Sequence, residues 1–233
     1  MRMQSAENDY KAIQFKSLDG LSITADLYLA SKAKAFILLC HRSHCNRGEF
    51  RQTARTLSNH GFSCLAIDQR SGMTVFGVVN ETSALAKKKA VPTGYLDAKP
   101  DIEAAVDHAY EMNDKRPIVI LGSSYSASLA LLISAHSDRV KAVLAFSPIE
   151  CLKGIIVAQQ IASLNKPTFV TSAKSEIEAT TNIIRFVKGK YVTQFKPDVD
   201  GFHGSKTLWE SVPGFETYWS ALLKILAKHA TRN

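Results

Sequence analysis

A serine-rich turn follows an apolar run in the middle of the chain, and one of its serines has the surroundings of a nucleophile. The apolar residues 118–121 lead directly into GSSYS at 122–126, and an apolar segment with helical character follows. This pattern predicts a strand, a tight turn and a helix around a motif close to G-x-S-x-G, with serine as its last residue. Such a turn is strained and projects the central hydroxyl, here that of Ser124, above the end of the strand. The residues two before and two after must be small, which Gly122 and Ser126 are.

The same turn would place Ser124 at the amino end of the following helix. Free backbone N–H groups and the positive end of the helix dipole favour the negative charge of an oxyanion at that position. A serine in such a turn can also serve only as a helix cap, and each of the neighbouring serines could do so. The strand before Ser124, the helix after it and its place behind the fifth predicted strand favour the nucleophile.

The elements that must position this serine alternate between strand and helix along the chain. This alternation predicts an α/β fold with a mostly parallel sheet and helices on both faces. We predict about eight strands, at residues 12–17, 22–29, 35–40, 62–67, 117–121, 140–146, 168–171 and 191–195. We predict helices at residues 48–60, 98–113, 125–136, 176–188 and 206–230. The first two strands form an antiparallel hairpin around Asp19-Gly20, and residues 1–233 are predicted to be one domain.

Two connecting segments bear on how open the site would be. Residues 69–96 show no clear periodicity and hold three glycines and a proline, so we predict an irregular segment. This segment could partly cover the site, with Phe76 and Tyr95 against a substrate, and the sequence leaves open whether it forms a lid. The link at residues 147–166 is too short for a separate cap domain.

His203 is the residue that chain order favours as the general base. When a serine nucleophile occupies such a turn, the acid and then the histidine follow it in the sequence. Only His203 and His229 follow the candidate acids, and His229 lies in the amphipathic final helix, where a surface position is expected. Gly201 and Gly204 mark a loop around His203. An imidazole there can take the serine proton and return it to the leaving group, because imidazole titrates near neutral pH.

The acid that would orient His203 is less closely defined by the sequence. Glu176 follows the seventh predicted strand and a short turn, where a carboxylate could reach the histidine ring and fix its tautomer. It could equally be an acidic residue in the first turn of the next helix, stabilised by the helix dipole. Glu178, in the same helix, and Glu150, just after the sixth predicted strand, remain alternatives.

Two backbone N–H groups are expected to form an oxyanion hole for the carbonyl that Ser124 attacks. One belongs to Tyr125, the residue after the nucleophile, and the other to the loop after the third strand. Arg42 is the first choice in that loop, and Ser43 is the second. Each such donor raises the rate by roughly a hundred- to thousandfold.

Over nearly its whole length, the chain resembles the cap-less α/β hydrolases related to dienelactone hydrolase. The segments that carry the resemblance are His41, residues 46–50, 68–72 and 97–110, the turn at 122–126, and residues 202–204. The resemblance implies an α/β-hydrolase fold without a separate cap. It also implies a cytosolic esterase or lactonase with a serine, acid and histidine triad and with neither a metal nor a cofactor.

The chain departs from the pattern of these relatives at several positions. Dienelactone hydrolase uses a cysteine nucleophile where this chain has Ser124, so its substrate does not carry over. The usual acid is an aspartate after a glycine-containing turn, and the matching positions here are Ala173 and Glu176. The glycine often found after the histidine of the first loop is Arg42 here.

The composition argues against several other classes of protein. The net charge is +8, but basic residues are spread along the chain and the one compact run, at 87–89, is too short for a nucleic-acid-binding tract. No apolar run approaches the ~20 residues of a membrane span, and the polar residues 1–9 lack a signal peptide, which predicts a cytoplasmic protein without a membrane partner. Four cysteines without a CxxC pair are predicted to be free thiols rather than a metal site: Cys40, Cys45, Cys64 and Cys151.

These features together predict a serine hydrolase that cleaves small carboxylic esters, thioesters or lactones through an acyl-enzyme on Ser124. The alternatives are a small acyl-peptidase or acyltransferase, and a non-catalytic ligand-binding protein of the same fold. The partner is expected to be a small-molecule ester or acyl compound. An apolar face on the final helix predicts packing against the sheet, and a homodimer through that face stays open.

Overall fold

The computed structural model describes residues 9–229, and within them one sheet of eight strands carries helices on both faces. The prediction about a signal peptide rests on residues 1–9, of which residues 1–8 lie outside this range. The strands are β1 (Lys11–Lys16), β2 (Ser22–Tyr28), β3 (Ala35–Cys40), β4 (Phe62–Ile67), β5 (Ile118–Ser123), β6 (Val140–Phe146), β7 (Thr168–Thr171) and β8 (Val192–Gln194). The α-helices are α1 (Arg51–Asn59), α2 (Glu81–Lys88), α3 (Lys99–Met112), α4 (Tyr125–His136), α5 (Val157–Gln160), α6 (Ile177–Ile184) and α7 (Phe215–His229).

The sheet order β1-β2-β4-β3-β5-β6-β7-β8 places the serine turn near the middle of the sheet. The pairs β1–β2 and β2–β4 are antiparallel, and the other pairs are parallel. Gly122, near the end of β5, lies opposite Cys40 on one side and Ala145 on the other. The loops that follow β3, β5, β6, β7 and β8 therefore leave from one edge, where ligands bind in open α/β sheets. The predicted α/β-hydrolase fold is confirmed.

Buried strands separate two hydrophobic clusters, one on each face of the sheet. In β5, Ile118 and Ile120 point into one cluster, while Val119 and Leu121 point into the other. Continuous apolar runs are typical of parallel strands with both faces covered, because alternate side chains enter different layers. Because its side chains are buried on both faces of the sheet, β5 is a rigid support for the serine turn at its end.

Helix α2 lies inside residues 69–96, where the sequence predicted irregular structure, and that prediction was wrong for these eight residues. The Asn80 side chain caps the helix by accepting a hydrogen bond from the Ser83 N–H, and Glu81 occupies the first turn, which the helix dipole favours. Its buried residues are small or polar, namely Thr82, Ser83 and Ala86. Hydrophobic periodicity is therefore absent, which explains why the apolar pattern missed the helix.

The final helix begins at Phe215, not at residue 206 as predicted. A short 3-10 helix at Gly204–Leu208 comes first, and Pro213 and Gly214 then interrupt the chain, with Gly214 at φ 80°. The apolar face of α7 packs against the sheet, since Tyr218 and Leu222 are buried in one of the two clusters. This is the packing that the sequence predicted for that face.

Residues 147–167 leave β6 at the carboxyl edge of the sheet and connect it to β7. The link between β6 and β7 contains only the one-turn helix α5, so this part of the chain holds no separate cap domain.

None of the helices between residues 9 and 229 is both long enough and apolar enough to cross a bilayer.

Candidate active site

Ser124 lies in the sharp turn between β5 and α4, as the motif predicted. Its backbone has φ 62° and ψ −126°, a strained conformation for a residue with a side chain. A Cβ added at Gly122 would lie 2.4 Å from the Ser126 carbonyl oxygen, so the turn closes only with glycine there. The side chains of this turn are held by a fixed backbone, which leaves the Ser124 hydroxyl at the end of the sheet.

His203 and Glu176 complete a chain of hydrogen bonds that starts at Ser124. The distance from Ser124 Oγ to His203 Nε2 is 2.8 Å, and His203 Nδ1 lies 2.6 Å from Glu176 Oε1. Because a carboxylate accepts hydrogen bonds, it favours the tautomer in which Nδ1 carries the proton and Nε2 can accept the serine proton. The structure thus brings together the three residues that the sequence selected from separate parts of the chain.

The second oxygen of Glu176 is held by two further donors. Glu176 Oε2 accepts hydrogen bonds from the Ser147 hydroxyl at 2.6 Å and from the Ala173 N–H at 3.2 Å. Burial by itself would raise the pKa of Glu176, but the hydrogen bonds from His203 and Ser147 outweigh it and lower the pKa. The carboxylate is therefore fixed in its charged form facing the histidine.

The other two candidate acids occupy different places. Glu150 accepts hydrogen bonds from the N–H groups of Val157 at 2.7 Å and Ala158 at 3.0 Å, and so caps the one-turn helix α5. Glu178 is exposed in the first turn of α6. Of the three carboxylates, Glu176 is the one that contacts His203.

Ser147 was not selected from the sequence, yet it joins Glu176 to the loop that carries His203. Its hydroxyl donates to Glu176 and accepts from the Gly204 N–H at 2.9 Å. Ser147 has φ 50°, a region that a non-glycine residue rarely adopts. The only sequence signal is its position directly after β6, at the same sheet edge as Ser124.

Replacing Ser147 by alanine or by glycine is expected to lower the kcat of any reaction that uses the Ser124–His203–Glu176 chain by about tenfold, since the hydrogen bond to a charged carboxylate is lost. Glycine fits the positive φ and alanine does not, so the pair separates loss of the hydroxyl from backbone strain. Steady-state kinetics and thermal unfolding of both variants check this. Equal kcat in the wild type and Ser147→Gly would show that the hydroxyl does not support the acid.

The proposed oxyanion donors differ in how free their N–H groups are. The Tyr125 N–H is at the first position of α4, where no preceding helical turn supplies a carbonyl. The Arg42 N–H instead donates to Glu49 Oε2 at 2.9 Å, so in this structure it is occupied. The first-choice donor in that loop therefore does not fit, and Ser43 becomes the candidate.

His41 sets the orientation of the peptide group that carries the Ser43 N–H. Its Nε2 accepts from the Gln69 N–H at 3.0 Å, so Nδ1 carries the proton and donates to the Arg42 carbonyl at 2.7 Å. Burial is the largest influence on this ring and lowers the pKa of His41, which keeps it neutral. In a trans peptide the N–H points away from the carbonyl, so the Ser43 N–H is directed away from His41.

Ser126, which replaces the usual glycine of the motif, ties the turn to this same loop. Its hydroxyl donates to the His41 carbonyl at 2.5 Å and accepts from Gln69 Nε2 at 2.5 Å. The Tyr125 ring is fully buried and stacks on Tyr95 with ring centroids 4.6 Å apart. Tyr95 therefore contacts the turn through the buried ring of Tyr125.

Two charged residues after β4 serve the scaffold. Asp68 pairs with Arg47 at 2.6 Å, and Arg70 pairs with Asp101 at 2.6 Å and with Asp19 at 2.6 Å. These ion pairs fix the loop after β4 to its neighbours, so Asp68 and Arg70 have a structural role.

Residues 31–175 match the model of a protein family described as "Serine aminopeptidase, S33", which is more than half of the chain. The chain belongs to this family. The matched range of this α/β hydrolase includes Ser124 but ends before Glu176 and His203, so the geometry described above is the basis for including those two residues.

A curated acyltransferase is similar in sequence to part of the chain. The hydrolase is 23% identical over 152 residues to the acyltransferase DrtE of Aspergillus calidoustus, which covers 65% of this chain and 47% of that protein. The chain thus spans about half of that curated relative.

Solved structures of esterases and hydrolases share the architecture. An esterase of Pyrococcus furiosus superposes with a TM-score of 0.72 at 15% identity, over 95% of this chain and 93% of its own. A dienelactone hydrolase from Anabaena variabilis superposes with a TM-score of 0.71 at 16% identity, over 96% of this chain and 98% of its own. At these identities the likeness concerns the fold.

Proposed function

We propose that this α/β hydrolase is a serine hydrolase that cleaves small carboxylic esters, thioesters or lactones through an acyl-enzyme on Ser124. The observation that carries the proposal is the hydrogen-bonded chain from Ser124 to His203 to Glu176, with distances of 2.8 Å and 2.6 Å. A nucleophile, its base and an orienting acid in this order are what acyl transfer requires.

In the first half of the reaction, Ser124 Oγ attacks the carbonyl carbon while His203 Nε2 takes its proton. The carbonyl oxygen becomes an oxyanion, for which the N–H groups of Tyr125 and Ser43 are the proposed donors. The bond to the leaving group then breaks, and His203 returns the proton to that group. The acyl group remains bound to Ser124 as an ester.

In the second half, water takes the place of the leaving group. His203 removes a proton from the water, which attacks the acyl carbon, and the bond to Ser124 breaks as its oxygen regains a proton. Glu176 stabilises the imidazolium that forms in each half. The partial exposure of His203 is compatible with water reaching this position.

A second candidate function is acyl transfer, in which an alcohol or amine replaces water as the acceptor. The similarity to the acyltransferase DrtE favours it, and the family description includes peptidases. Both activities would use the same acyl-enzyme, so the acceptor decides between them. The non-catalytic alternative loses support because a carboxylate lies within hydrogen-bond distance of His203.

A reagent specific for active serines provides the decisive test. Incubation with a fluorophosphonate at pH 7–9 is expected to add one label to the protein, which peptide mapping should locate at Ser124. A panel of p-nitrophenyl esters of rising chain length, run beside aminoacyl anilides and with added alcohol acceptors, then separates esterase, peptidase and acyltransferase. Absence of labelling of the folded protein across this pH range would refute the serine mechanism.

A further inference from the structure

Glu49 is a buried carboxylate close to the site that the proposed mechanism does not use. Its exposed fraction is 1%, and it lies in the 3-10 helix Arg47–Phe50 between β3 and α1. A buried charge is costly unless it is fully hydrogen-bonded, so its presence requires an explanation.

Donors from three separate parts of the chain converge on the Glu49 carboxylate. Oε2 accepts from the Arg42 N–H at 2.9 Å. Oε1 accepts from the Ser123 hydroxyl at 2.8 Å and from the Ser205 hydroxyl at 2.5 Å. The Ser205 N–H in turn donates to Ser123 Oγ at 2.9 Å, which closes the network.

Each of these donors adjoins a residue of the proposed mechanism. Arg42 precedes the oxyanion donor Ser43, Ser123 precedes the nucleophile Ser124, and Ser205 lies two residues after His203. Glu49 thereby links the oxyanion loop, the nucleophile turn and the histidine loop through one carboxylate.

The network is specific for a carboxylate, because each of its three partners approaches as a donor. Among residues 9–229, no cation lies within ion-pair distance of Glu49, so a salt bridge does not account for the charge. An amide in the same place would turn an NH2 group toward at least one donor. Glutamine would therefore keep the shape but disrupt the network.

We propose that Glu49 is a positioning residue that sets the distance between the oxyanion donors and the Ser124–His203 pair. The proposal rests on the proposed serine hydrolase function. The stabilisation that Glu49 provides through the oxyanion donors should be larger in the transition state than in the bound substrate, because the oxyanion exists only after attack. A change at Glu49 should therefore lower kcat and leave KM nearly unchanged.

The test compares Glu49→Gln with the wild type in p-nitrophenyl ester hydrolysis and in inhibition by an alkyl boronic acid, whose tetrahedral adduct mimics the oxyanion. We expect kcat to fall by roughly 10- to 100-fold and boronate affinity to fall in parallel, with KM within about twofold. Glu81→Gln is the control, since that exposed carboxylate in α2 also accepts side-chain hydrogen bonds, but from Gln14 on β1 and Thr24 on β2, away from the site. It should keep the wild-type kcat.

Two single-donor variants keep the test decisive if Glu49→Gln does not fold. Ser205→Ala and Ser123→Ala each remove one hydroxyl from Glu49, and each should lower kcat and boronate affinity by roughly threefold to tenfold at unchanged KM. Unchanged kcat and boronate affinity in an active, folded variant would overturn the role of Glu49 alone. An inactive wild type that fluorophosphonate does not label would overturn the proposed function as well.

Discussion

Replacing Ser124 by alanine is expected to lower kcat for ester hydrolysis by about a hundred thousandfold or more, comparable with loss of the nucleophile in other serine hydrolases. Alanine removes the atom that forms the acyl-enzyme, while His203 keeps its bond to Glu176 and the fold is unchanged. Residual turnover would come from binding and the oxyanion donors alone. Steady-state kinetics with a p-nitrophenyl ester, together with intact-mass analysis after fluorophosphonate treatment, measure the effect.

Ser128→Ala is the matched control for this experiment. Ser128 lies in the same helix as the turn and is equally buried, but its hydroxyl bonds the Ile149 carbonyl at 2.6 Å. It should retain both labelling and kcat while losing some stability. Retention of hydrolysis by folded Ser124→Ala would remove the nucleophile from the proposed function.

Replacing Glu176 by glutamine is expected to lower kcat by about a thousand- to ten-thousandfold, because the amide can present its NH2 group to His203 and favour the wrong tautomer. The effect should fall on kcat and leave KM nearly unchanged. Glu150→Gln and Glu178→Gln test the other acids that the sequence offered, and both should retain kcat. A large loss in either of these, with an active Glu176→Gln variant, would reassign the acid.

The Glu176→Gln substitution is also expected to change how the free energy of unfolding depends on pH. The pKa of Glu176 is lowered in the folded protein: burial opposes this, and the hydrogen bonds from His203 and Ser147 outweigh it. Its ionised form therefore stabilises the fold fully above the ordinary glutamate pKa, and that contribution is lost as the pH falls through the lowered folded value. Urea unfolding should show a difference between wild type and Glu176→Gln at pH 7 that shrinks in acid.

The sequence predicted those site residues that depend on local pattern and chain order. The turn around Ser124 is local, since the apolar strand, the small neighbours and the following helix are contiguous. His203 followed from its place behind the acids and from its flanking glycines. Glu176 remained one of three candidates, because selection among them depends on which carboxylate faces the ring in space.

Ser147 and Glu49 escaped sequence analysis for a different physical reason. The partners of Glu49 include Ser123 and Ser205, which are 74 and 156 residues away in the chain. No periodicity or motif spacing encodes such a meeting of side chains. Helix α2 was missed for a related reason, because small and polar residues fill its buried face and only its cap and end charges mark it.

At the fifth position of the G-x-S-x-G motif, this protein has Ser126, whose side chain forms hydrogen bonds that a glycine could not form. The turn itself requires only a small residue there, while the hydroxyl serves the His41 carbonyl and the Gln69 amide. The hydroxyl of residue 126 is therefore explained by its hydrogen bonds to the loops after β3 and β4 rather than by the presence of a nucleophile. A pattern search that insists on glycine at this position would pass over this chain, whereas one that admits any small residue would recover it.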